Sequence, residues 1–187
     1  VTVDDDEAKP APGRLRLVQA LINSVDRESG RDRLSTVDSA TPWLTDTGLL
    51  TTGATLDADH LALVVGVREA LHALVMGGSA NHDAAVLRPL RDVARTARLR
   101  ADLDPTGTVT VAPAGESVAD RLAGLLAVVA DAQRDGTWGH LKACANEDCR
   151  WVFYDRSRNH GGTWCDMSTC GNKVKNREFR ARRRAGT

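Results

Sequence analysis

Long apolar runs are missing from this sequence. The best, LALVVGV at 61–67, is stopped by Arg68, and no stretch is expected to approach the roughly 20 apolar residues of a membrane span. A signal peptide is missing too, because the start, VTVDDDEAKPAPG, is acidic and proline-containing where such a peptide is basic and then apolar. We expect a disordered leader over residues 1–13, no membrane contact and a cytoplasmic location. Catalytic signatures are scarce. There is no glycine-rich phosphate loop, no GxSxG and no HExxH, the five histidines (60, 72, 82, 140, 160) are scattered, and residues 1–143 hold no cysteine nucleophile. The expectation is that the protein is not an enzyme.

Net charge is also absent: 25 basic residues face 25 acidic ones, which taken alone argues against a nucleic-acid or membrane-surface binder. The average hides a split. Residues 139–187 carry +6 and residues 1–138 carry −6, the asymmetry expected when one part meets a polyanion and the other does not.

What is present reads mainly as helix. RLRLVQALINSV (14–25) places Leu15, Val18, Leu21, Ile22 and Val25 on one helical face. Residues 35–55, rich in Ser, Thr and Asp, predict a short helical turn around Pro42, Trp43 and Leu44 within irregular chain, with Trp43 in the core. LDADHLALVVGVREALHALV (56–75) is the strongest helix, capped by Asp57, with His72 a satisfied or exposed helix residue. Another helix is expected from a cap at Asn81, kinked or split by Pro89. RLRADL and TVTVAP flank DPTG and predict a β-hairpin. SVADRLAGLLAVVADAQRDG (117–136) reads as a helix capped by Ser117 and stopped by Gly136.

All the cysteines, Cys144, Cys149, Cys165 and Cys170, fall within 27 residues as C-x4-C-x15-C-x4-C. Two close pairs about a hairpin-sized insert suit a tetrahedral four-thiolate zinc site, one structural ion. In the insert, WVFYD (151–155) favours a strand, SRNHGG (157–162) a turn, and Thr163 and Trp164 lead back to Cys165; such a hairpin would bring the pairs together. Two disulfides would need an oxidising compartment. An iron–sulfur cluster is chemically open. Catalytic zinc would need a coordination position that four thiolates close.

Directly after Cys170 comes a cationic segment. In a helix starting near Gly171, Lys173, Arg177, Arg180 and Arg184 fall within roughly a 60° arc at about 100° per residue, flanked by Asn176 and Arg183. Val174 and Ala181 lie on another side, suited to packing on the metal knuckle. Like charges on one face repel unless a polyanion relieves them, and duplex DNA is the obvious one. Lys173, Asn176, Arg177 and Arg180 are therefore expected to approach bases or phosphates. Arg182, Arg183 and Arg184 would chiefly meet phosphates, with Arg156, Arg158 and His160 gripping the backbone nearby.

At these residues the chain resembles the CGNR-type zinc-finger proteins. CRWVFYDRSRNHGGTWCDMSTCGNK carries Asp155, Ser157, Arg158, Asn159, Trp164, Met167, Gly171 and Asn172 where that pattern asks. The Arg of the pattern is Lys173 here, which keeps the charge and loses the bidentate fork. The body resembles the ABATE-type domain that accompanies this finger in bacteria, in proteins regarded as putative stress-induced transcription regulators. The resulting expectation is an α+β chain. A mainly helical domain with a small hairpin (14–138), for sensing or dimerisation, precedes a treble-like four-cysteine finger of β-hairpin and basic helix (139–187). Its partners would be double-stranded DNA, a small-molecule effector of the body and a second copy of the chain. The alternatives are a zinc module for RNA or protein contacts, or a small-molecule binding protein or enzyme with the finger as a staple.

Overall fold

Leu15, Val18, Leu21 and Ile22 bury the stripe their spacing implies along α1 (Leu15–Ile22), but the same helix also buries Gln19 completely. A buried amide requires a partner, and this one lies at the far end of the chain. The computed structural model describes residues 9–77 and 83–185, with the side chains of Glu178 and Ala185 left aside. The expected cap at Asn81 lies outside them.

After α1 come two short antiparallel strands, β1 (Val25–Asp26) and β2 (Arg31–Asp32). Residues 37–46 form a ten-residue helix, α2 (Val37–Asp46), rather than a short turn. Its start is fixed by a reciprocal cap: Thr36 Oγ1 accepts from Ser39 N at 3.1 Å, and Ser39 Oγ accepts from Thr36 N at 3.1 Å. Pro42 sits inside this helix, and Trp43 is half-buried against the core. The expected cap on α3 (Ala58–Gly77) is present, with Asp57 Oδ1 accepting from His60 N at 2.8 Å.

Helix α3 corrects one expectation. Its 20 residues, with a mean hydropathy of 1.3 in the most apolar window, have the length and composition of a membrane span. One face of the helix nonetheless packs on protein, against α1, α4 (Arg88–Thr96) and α5 (Val118–Asp135), with Val64, Val67, Ala70 and Leu71 buried. Arg68 in its middle is buried, with Nη1 2.7 Å from Asp32 Oδ1 and Nε 2.9 Å from Glu69 Oε1. Pro89 neither kinks nor splits a helix. It sits in the first turn of α4, where a missing N–H costs nothing.

The central hairpin forms as expected, with β3 (Leu99–Leu103) antiparallel to β4 (Val109–Pro113) and Leu103 opposite Val109. Helix α5 is capped by Ser117, whose side chain accepts from Asp120 N, and is ended by left-handed Gly136 (φ 84°). A short 3₁₀ turn (Thr137–His140) leads into β5 (Leu141–Ala143), which pairs with β6 (Val152–Tyr154). The alternation of this last hairpin divides its faces. Leu141, Ala143, Val152 and Tyr154 join the main core, while Phe153, fully buried, joins a second core around the four cysteines.

The partner of Gln19 is this hairpin. Gln19 Nε2 donates to Val152 O at 3.1 Å, and Asn23 brackets the same residue, its Nδ2 donating to Val152 O (2.8 Å) and its Oδ1 accepting from Val152 N (2.9 Å). Residues 9–13, expected as the end of a disordered leader, are ordered for the same reason. Lys9 O accepts from Tyr154 N (2.9 Å), extending the hairpin edge, and Ala11 N donates to Gln19 Oε1 (2.5 Å). Ala11 is buried. Residues 1–8 of that expectation lie outside the described residues.

Replacing Asn23 with Ala leaves the buried Val152 N–H without its acceptor, a loss of about 1–3 kcal/mol. The expected result is a lower urea midpoint with an unchanged slope. A variant as stable as the parent would remove this clamp from the account of the fold.

Candidate metal centre and nucleic-acid interface

The loop between β5 and β6 places Cys144 and Cys149. The chain then returns through residues 155–164 to Cys165 and enters a wide helical turn, Met167–Gly171, that carries Cys170. The hairpin expected within the insert does not form. Strand β6 pairs backward with β5, and the return loop is tied to the knuckle by Ala145 N donating to Thr163 O at 3.0 Å. The first cysteine pair thus sits in a hairpin turn and the second at a helix start.

The four Sγ atoms lie within 4.8 Å of one another. Cys149 and Cys165 are 3.7 Å apart, as are Cys165 and Cys170. A tetrahedron with zinc–sulfur bonds of about 2.3 Å has edges of about 3.8 Å, so the donor set fits one structural zinc ion. Cys144, Cys165 and Cys170 are buried and Cys149 is half-buried, and four thiolates would fill the coordination sphere of one ion. Crowded thiols cannot ionise independently. A hydrogen bond from Cys165 brings Cys149 down to about 6, and the same contact, then burial, drives Cys165 far up. A divalent cation resolves this conflict by stabilising a thiolate at every position.

Several side chains that the sequence did not single out as functional shape the centre. Buried Asn146 directs Nδ2 to Cys170 Sγ at 3.7 Å, an outer contact of the kind that fixes a ligand's orientation. Asp155 organises the return loop, accepting from Ser157 N (3.0 Å), Gly162 N (2.7 Å) and Lys142 Nζ (3.0 Å). Burial alone would raise its pKa, but the Ser157, Lys142 and Gly162 hydrogen bonds hold it well below the usual carboxylate range. A Cβ on Gly162 would stand 2.8 Å from Asp155 Oδ2, so this close approach requires glycine. His72, as expected for a satisfied helix histidine, has Nε2 3.1 Å from Arg150 O. Asp155 was legible as a residue of the CGNR pattern but not in its role, and Asn146, inside the first cysteine pair, escapes sequence reading because polar residues beside turns are common.

The cationic helix, α6 (Asn172–Ala185), leaves this centre directly. Asp166 caps the preceding turn, accepting from Thr169 N at 2.8 Å. Val174 packs down as expected, at 8% exposure, whereas Ala181 is exposed, because the helix has by then run past the knuckle. Lys173, Asn176, Arg177, Arg180 and Arg184 lie together along one exposed face of α6. Arg182 and Arg183 are exposed outside it, Arg183 lying 5.9 Å from the Phe179 ring. Arg156 is turned to the strap formed by residues 9–11, with Nη2 donating to Pro10 O at 2.9 Å, and Arg158 is exposed on the return loop. His160 stacks on His140, ring centroids 3.9 Å apart. Two cations of the stripe already meet acids: Lys173 pairs with Glu28 of the β1–β2 turn, and Arg177 Nη1 is 3.3 Å from Asp148 Oδ2.

Two family models match the chain. Residues 140–183 match the CGNR zinc finger, and residues 15–134 match ABATE, described as "Putative stress-induced transcription regulator". No curated protein matches it.

Elemental analysis of the purified protein is expected to give one zinc per chain. Because the metal needs thiolates, its affinity falls as pH drops, and a strong chelator should unfold residues 144–172. Near-ultraviolet circular dichroism of Trp151 and Trp164 would follow that loss. An unchanged spectrum and melting temperature after complete metal removal would show that the ion does not hold this region.

Proposed function

The chain belongs to the ABATE family and ends in a CGNR zinc finger, and from that premise we propose that it is a one-component cytoplasmic transcription regulator, not an enzyme. Its zinc-held α6 binds duplex DNA, and its helical body senses a small-molecule effector or mediates dimerisation. One observation carries the reading: the stripe of Lys173, Asn176, Arg177, Arg180 and Arg184 shares one exposed face of a helix whose root is fixed by a metal ligand. At about 1.5 Å per residue the 14 residues of α6 span about 21 Å, enough to cross a major groove about 12 Å wide.

In this reading the roles divide by position. Lys173, Asn176, Arg177 and Arg180 face base edges or phosphates, and Arg182, Arg183 and Arg184 meet phosphates. Lys173 offers a point charge where the family pattern has a fork, which suits a phosphate better than a guanine edge. Arg156 is occupied by the strap and would have to exchange Pro10 for a phosphate, whereas Arg158 is exposed for backbone contact. The acids at Glu28 and Asp148 compete with DNA for Lys173 and Arg177. Both pairs are exposed, so that competition is weak and screened by salt.

Fluorescence anisotropy on random duplex across salt tests the proposal. Arg177→Ala with Arg180→Ala is expected to weaken binding at least tenfold and to reduce the salt slope by about 2. Glu28→Gln should strengthen binding severalfold at low salt by releasing Lys173. Duplex affinity and slope unchanged in the double variant would rule out the helix in the groove. Tighter binding to single-stranded RNA than to duplex would favour an RNA module instead.

A further inference from the structure

Every residue of β3 is exposed, and the edge turned away from β4 carries no strand among the described residues. The pairing with β4 shows what that edge offers. Ala114 N donates to Arg98 O at 2.9 Å and Asp104 N to Thr108 O at 3.0 Å. By the alternation of an antiparallel ladder Arg100 and Asp102 also bond towards β4, so Leu99, Ala101 and Leu103 turn their N–H and C=O groups outward. Leu103 N accordingly donates to a side chain, Asp102 Oδ1 at 3.1 Å, rather than to a strand. An open edge of this kind invites another strand.

The residues along the edge indicate which strand. RLRADLD (98–104) inverts its charge about Ala101 and keeps its apolar positions. Turned end for end against itself, Arg98 meets Asp104, Leu99 meets Leu103 and Arg100 meets Asp102. The strand is thus complementary to an antiparallel copy of itself. Other registers fit less well. Parallel pairing sets Arg on Arg, and an antiparallel slip of two residues sets Arg100 or Asp102 against its own copy. A slip of one residue brings apolar positions opposite charged ones. Within one chain Arg100 Nη2 and Asp102 Oδ2 are 3.7 Å apart and both side chains are exposed, so that contact is weak and does not oppose the exchange. The outer edge of β4 is the poorer candidate, because it holds no charged residue, includes Pro113 without an N–H, and lies against α5.

We propose that the chain forms a two-fold dimer through the outer edge of β3, with Ala101 beside Ala101 of the second copy and each Arg100 facing the other copy's Asp102. The two hairpins join as one sheet in the order β4–β3–β3–β4. A contact of this kind closes on itself and uses each β3 once, so it stops at two copies. Apolar matching adds to the charge matching. Leu103, 65% exposed at the tip of one hairpin, comes beside Leu99 at the root of the other. The inference rests on the dimerisation role proposed for the body, to which it gives a surface, and is independent of DNA binding.

Sedimentation equilibrium of the zinc-loaded full chain without DNA tests the surface with two charge reversals, Arg100→Asp and Asp102→Arg. The parent is expected to dimerise with rising concentration. Each reversal alone sets like charges across the two-fold axis and should weaken dimerisation more than tenfold. An equimolar mixture of the two variants restores every opposite pairing and should associate within threefold of the parent. That recovery also shows that both variants fold. A dimeric parent whose dissociation constant neither reversal alters, or a mixture that stays monomeric, would overturn the β3 edge and leave dimerisation through another surface. A parent monomeric at every concentration would overturn the dimerisation role as well, leaving the edge to a strand of another protein.

Discussion

Four sulfur atoms within 4.8 Å of one another are a liability without a cation, and the last quarter of the sequence is built around that fact. Deprotonated they repel, and protonated they offer only weak hydrogen bonds. Around them the second core is small, with Phe153 fully buried and Trp151 and Trp164 at its margin. So few apolar side chains cannot hold a loop region of this length, and a structural ion supplies the missing cohesion. The direction of α6 depends on it too, because the helix begins two residues after a ligand and beyond its first turn is almost wholly exposed. Metal affinity and helix orientation are therefore one property.

The finger is not an appendage. One face of its hairpin belongs to the metal core and the other to the main core, so the two cores share a single two-stranded sheet. Polar clamps reinforce this sharing. Gln19 and Asn23 hold Val152, Lys9 extends the sheet edge at Tyr154, and Lys9 Nζ reaches Trp164 O at 2.8 Å. A shift of α1 or of residues 9–11 would be felt at β6 without crossing any flexible linker. For a regulator this is a rigid connection between the body and the cationic helix.

Much of this could be read before any coordinates. Helix α5 announced both of its ends through Ser117 and Gly136, the β3–β4 hairpin followed from alternation about a Pro-Gly turn, and the cysteine spacing gave the metal centre. Each depends on neighbours in sequence. What stayed hidden depended on partners far away or on weak signals. Helix α2 has Ser39, not Glu or Gln, as the returning half of its cap, and Pro42 argued against it. Pro89 read as a breaker because nothing local marks it as a first-turn residue. The strand pairing of the finger was assigned forward across the insert, whereas β6 pairs with residues that precede the first cysteine. Ordering of residues 9–13 was hidden because, beside the local bond to Gln19, two of their partners, Tyr154 and Arg156, lie about 145 residues on. Gln19 within an apolar stripe was the one readable hint that α1 meets a polar backbone.

The bracket of Asn23 around Val152 has a further meaning for how such a chain is made. Synthesis runs from the amino end, so α1 emerges 129 residues before the backbone groups that satisfy its buried amides. Until then Gln19 and Asn23 lack the backbone partners of their final packing. Assembly of the cysteine knuckle and closure over the first helix therefore draw on the same late stretch of chain. A polypeptide cut short before Cys170 would lose more than its cationic helix, because the beginning of the fold waits for its end.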